Sequence, residues 1–67
     1  MTIEAIKEVR DTAPFKPFTI LTADGQAFEV PHNDCLLVAE QGETLIVVTP
    51  DQKFHILATD LAASITR

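Results

Sequence analysis

Residues 18–30, "FTILTADGQAFEV", decide the fold. Asp24-Gly25 stands between two runs rich in Phe, Thr, Ile and Val. An Asp-Gly pair flanked by β-formers is the strongest short hairpin signal, because the turn needs residues that accept φ > 0. A two-residue loop sets Ala23 opposite Gln26, Leu21 opposite Phe28 and Thr19 opposite Val30. Those six residues then share one face, while Thr22 with Ala27 and Ile20 with Glu29 share the other, along with Phe18. Both faces are partly apolar, so the hairpin is expected to pack on two sides.

Downstream, "FEVPHNDCLL" (28–37) raises the question of a reactive loop, since His32, Asp34 and Cys35 lie within four positions. Pro31 cannot donate to a ladder and should end the strand, with Asn33 or Asp34 bonding local backbone in a strand-to-strand turn. "CLLVAEQGETLIVV" (35–48) folds back around Gln41-Gly42, and its apolar content predicts burial on both faces. "PDQ" (50–52) is a third turn, before a strand "KFHILA" (53–58) with Phe54 and Ile56 on one face and His55 and Leu57 on the other. "TDLAASITR" (59–67) reads either as a helical turn capped by Asp60, or as a closing strand ending in Ser64, Ile65 and Thr66. The strand is preferred, because it gives an otherwise open sheet a closing partner. No internal repeat is evident beyond the hairpins.

Upstream, residues 2–12 carry Ile3, Ile6 and Val9 at threefold spacing, with Thr2 as N-cap, Glu4 in the first turn and Arg10 near the end. That is an amphipathic helix with one narrow apolar stripe. In "APFKPF" (13–18), Pro14 and Pro17 bias the residues before them to extended backbone and stop the helix. Their spacing matches a polyproline ligand, but here it simply links helix to strand. The expectation is therefore one domain over residues 1–67, mainly β, with a helix at 2–12 and antiparallel strands across 18–66. Five or six short strands form a small barrel of the SH3-like or Sm-like kind, or a strongly bent open sheet on the helix.

With 67 residues, the chain buries only about 60% of the surface it exposes when unfolded. A single Cys excludes intramolecular disulfides, so ordinary packing must suffice, with oligomerisation as a common further route to stability for small chains. The N-terminus lacks a signal peptide's basic start and apolar run, which predicts a cytoplasmic protein. The formal charge of −5 and five scattered cations, Lys7, Arg10, Lys16, Lys53 and Arg67, disfavour nucleic acid, whose binding rests on cations meeting phosphates. No run of apolar residues is long enough to span a membrane.

The segment "PFKPFTILTADGQAFEVPHND" (14–34) with the later "DLAASI" (60–65) resembles a group of small bacterial proteins of unassigned activity. Their pattern runs Pro-Phe-x-Pro-Phe, Ala-Asp-Gly, then Val-Pro-His-Pro-Asp and an aromatic. This chain departs at Asn33 and at Cys35, so the resemblance implies no thiol chemistry. More loosely, the order of helix, strands and short final strand is similar to that of Sm-like RNA-binding proteins of the Hfq kind. That likeness is one of fold and carries no function by itself.

The residues argue against catalysis. His32, Asp34, Cys35 and His55 lack the paired spacings of a zinc site. Cys35 opens an apolar strand and reads as a small core residue. Ser64 is the only serine and has no nucleophile elbow around it. Two glycines, both explained by turns, leave no phosphate loop. No catalytic, cofactor or metal residue is therefore expected, and His32, Asn33 and Asp34 remain as the candidate functional loop. The expected function is a non-enzymatic interaction module, homo-oligomeric or bound to a larger protein through a sheet edge. Strands 43–49 and 53–58 are the expected edges, and an Sm-like ring binding single-stranded RNA is the alternative.

Overall fold

The structure, a computed structural model, describes residues 2–67. Helix α1 (Ile3–Asp11) starts where the sequence predicts: the Thr2 hydroxyl accepts the Ala5 N–H at 3.2 Å, and Glu4 and Arg10 occupy the first and last turns. Six strands follow: β1 (Phe18–Thr22), β2 (Ala27–Val30), β3 (Leu36–Val38), β4 (Thr44–Val48), β5 (Phe54–Ala58) and β6 (Ala62–Thr66). The tail is a strand, preceded by a 3-10 turn over Thr59–Leu61.

The strands form two antiparallel three-stranded sheets, β2-β1-β6 and β3-β4-β5, and not the closed barrel or single bent sheet expected. The physical reason lies in the two connections between sheets. After β2, Pro31 has no N–H to continue a ladder, and the chain turns through Asn33–Cys35 into the other sheet. After β5, Thr59 N–H bonds the Glu43 carbonyl and Ala23 N–H bonds the Leu61 carbonyl, each at 2.9 Å. This crossover is thus tied to one sheet at each end. Ile20, Phe18 and Val30 from one sheet and Leu45, Val47 and Leu36 from the other make the core, into which α1 inserts the fully buried Ile6.

The first hairpin corrects the expected register. Phe18 faces Val30, Ile20 faces Phe28 and Leu21 faces Ala27, one residue off the pairing that a two-residue loop dictates. Gly25, at φ +88, is the turn's residue with positive φ, and Thr22 N–H bonds the Gln26 carbonyl at 2.9 Å around a three-residue loop. That arrangement is a type I turn closed by a glycine bulge. A one-residue shift exchanges faces: Phe18, Ile20, Phe28 and Val30 all turn inward, and Glu29 turns out.

The structure also reveals a repeat that pattern reading missed. Thr22-Ala23-Asp24-Gly25-Gln26 and Thr49-Pro50-Asp51-Gln52-Lys53 form the same loop. In each, the Thr N–H bonds the carbonyl four residues on at 2.9 Å, the Thr hydroxyl donates to the Asp carboxylate, and the fourth residue has positive φ. Each hairpin is followed by a 3-10 turn and a third strand that crosses to the other hairpin, so β3 joins β4 and β6 joins β1. The molecule is two similar halves that exchange their last strands.

Candidate functional site

His32, Asn33 and Asp34 are all exposed. The turn they form closes through backbone, Cys35 N–H to the His32 carbonyl at 3.0 Å, and His32 makes no side-chain cap. Among the described residues, neither Asn33 nor Asp34 makes the expected side-chain bond to local backbone. Cys35 is half-buried against the core, with its Sγ 3.8 Å from Asp34 Oδ1. His55 lies on β5, its ring against Phe28. Among the described residues, no three His, Cys, Asp or Glu side chains gather in a way that could hold a metal ion.

Among the described residues, two of the depressions on the surface bear on the site. One, of about 430 Å³, is lined by Gly42, Glu43, Thr59 and Asp60; the other, of about 270 Å³, runs from Pro17 and Phe18 to Thr66 and Arg67. The first holds two carboxylates above Thr59, whose buried hydroxyl has no hydrogen-bond partner. That oxygen is sealed from solvent, so a molecule resting in the depression does not reach it. The His32–Asp34 loop lines neither depression.

The outward faces of the two sheets differ sharply in chemistry. On the β3-β4-β5 sheet, Leu37 faces Ile46 and Ile46 faces Ile56, making one apolar row across three strands. Beside it Val48 pairs with Phe54, and Thr44 with Ala58. No charged residue stands among these seven. Phe54 is 69% exposed, Ile56 64% and Leu37 62%. On the β2-β1-β6 sheet, the row that holds the corresponding place is Thr66, Thr19 and Glu29. The two halves share turn chemistry and inward pattern, so the fold itself does not require this contrast. Single exposed apolar residues are ordinary on a protein surface, whereas here they are contiguous across three strands.

Comparison of the chain with protein-family models, with curated proteins and with solved structures finds no match. Among the described residues, no helix is long and apolar enough to cross a membrane.

The expected burial of residues 35–48 on both faces is only half met: Leu36, Leu45 and Val47 are buried, while Leu37 and Val48 face solvent. Of the expected edges, β5 is one and β4 is central. The signal that could have found the outward row was the near-continuous apolar content of "TLIVV" and "FHILA", broken only by Thr44 and His55, where one half-buried face requires an apolar residue only at every second position.

Proposed function

We propose that the chain is a small non-enzymatic interaction module of the cytoplasm that associates through its β3-β4-β5 sheet, with its own kind or with a larger protein. The observation that supports this reading is the row Leu37, Ile46 and Ile56, set against Thr66, Thr19 and Glu29 at the same place in the other half. The β5 edge, flanked by exposed Phe54 and Ile56, adds free backbone groups to which a further strand can bond.

Single-stranded RNA is the weaker reading. Base stacking needs open aromatic faces and backbone tracking needs free cations. Of the four Phe only Phe54 is exposed, and of the five cations Arg10 is paired with Asp11 and Lys53 with Asp51, against a formal charge of −5. Sedimentation of wild type and Ile56→Lys at several concentrations, alone and with candidate protein partners, tests the module. The outward charge should abolish association and leave the circular dichroism unchanged. Association of equal strength in the variant would overturn the reading.

A further inference from the structure

Resting on that reading, we infer that the occupant of the apolar face is a second copy of this chain, stacked sheet on sheet about a twofold axis that runs along the row Leu37, Ile46 and Ile56. In an isologous contact each residue on the axis meets its own counterpart, so the row must tolerate itself. Leu on Leu and Ile on Ile do so.

The rows on either side select the orientation. Thr44 and Ala58 lie on one side of the central row, Val48 and Phe54 on the other. Rotation about the row brings Phe54 of one copy over Ala58 of its partner, large on small, and Val48 over Thr44, two side chains of similar size. A twofold axis along the strands would instead lay β5 over the partner's β3, which spans only Leu36–Val38, so Phe54 and Ala58 would pass beyond both ends of that strand and leave gaps that close packing disfavours. Charge selects the same way. The β3–β4 turn carries Glu40 and Glu43, with Asp60 beside Thr59, while the β4–β5 turn balances Asp51 with Lys53. Exposed Asp34, at the head of β3, lies at the β4–β5 end as well, so the antiparallel stack lays the less acidic end of each copy on the more acidic end of the other, although each chain carries −5 overall.

The area suffices. With Phe54, Ile56 and Leu37 each more than 60% exposed and Val48 39% exposed, the face offers on the order of 500 Å² of mostly apolar surface. Two copies then cover about 1,000 Å², the threshold of a specific interface. That share is roughly a tenth of the chain's 4384 Å², as in a standard interface of a small protein. Aligned sheets stacked about 10 Å apart are a standard way to close such a face.

The test places like and unlike charges on the axis. Ile46 lies on the central strand, facing out, so charging it leaves the β5 edge intact. Wild type should be a dimer by light scattering, and Ile46→Lys and Ile46→Glu should each weaken it at least about 100-fold, because each sets like charges face to face. An equimolar mixture of the two variants should recover a mixed dimer at least about tenfold tighter than either alone. Dimers that survive both substitutions but fail when Pro enters the β5 edge would overturn the stacked arrangement and keep the module reading. A wild type that stays monomeric and binds no apolar dye would overturn both.

Discussion

The rings of Phe28 and His55 lie 4.8 Å apart, tilted by 55°, and these two residues hold the same position in the two halves of the chain. Each is the second residue of the strand that follows a Thr-x-Asp turn. The halves therefore meet at equivalent residues, one ring apolar and the other polar, with Thr49 Oγ1 3.4 Å from His55 Nε2.

This contact predicts unequal costs. Phe28 is 6% exposed, and its truncation to Ala should cost about 3–5 kcal/mol, comparable with the whole stability of so small a domain. His55 is half-buried, and His55→Ala should cost about 0.5–1.5 kcal/mol. Urea midpoints at unchanged slope measure both, and equal costs would contradict the asymmetry.

The twin turns predict opposite effects for two substitutions at one position. Gln52 has φ 65 where its counterpart Gly25 has φ 88. A residue with a Cβ is strained there, so Gln52→Gly should stabilise by about 0.5–1 kcal/mol and Gly25→Gln should destabilise by a similar amount. A lower urea midpoint for Gln52→Gly would show that the side chain is held by something stronger than the strain.

The turn hydroxyls are also separable. Thr22 is buried, and its hydroxyl accepts the Gln26 N–H at 3.0 Å while donating to Asp24. Thr22→Val keeps the shape and orphans that N–H, at a cost of about 1–3 kcal/mol. At the more exposed Thr49 water replaces the lost bond, so Thr49→Val should cost about 1 kcal/mol or less. Reversal of that order in thermal melts would contradict the assignment.

Acid should weaken the molecule through two carboxylates. The Thr49 hydroxyl holds Asp51 below the usual carboxylate range, and the Arg10 side chain does the same for Asp11. A carboxyl that titrates lower when folded contributes above its unfolded pKa and loses that contribution as pH falls through its folded one. Stability should therefore decline below about pH 4, and Asp51→Asn should flatten part of that decline. An identical pH profile in the variant would exclude Asp51 from it. Both groups are exposed, so the effect is small and fades with salt.

Much of the fold was legible because its signals are local. Thr2, Glu4 and Arg10 mark the helix, Pro31 marks the end of β2, and Gly25 and Gly42 sit at turns with positive φ. The register was not legible, because Asp24-Gly25 serves a two-residue turn and a three-residue turn equally well. Only the burial of Phe18 with Val30 and Ile20 with Phe28 selects between them. The exchange of β3 and β6 was hidden as well, since it depends on long-range pairing. Of the candidate loop, the joint exposure of His32, Asn33 and Asp34 is observed, and Asp34 Oδ1 lies 3.8 Å from Cys35 Sγ. That Phe54 and Ile56 share a face was legible, but that Leu37 and Ile46 extend it into a row was not, because a strand that is apolar on both faces reads as buried on both, and only the sheet order shows which face is left uncovered.

Solution mass separates the stacked dimer from a single chain when wild type is measured beside a variant carrying Leu37→Thr, Ile46→Thr and Ile56→Glu, which gives the apolar row the polar character of its counterpart. Wild type should show twice the 7.4 kDa chain mass and the variant the single-chain mass, with the same circular dichroism. Equal masses for the two proteins, single or double, would contradict the stacked dimer.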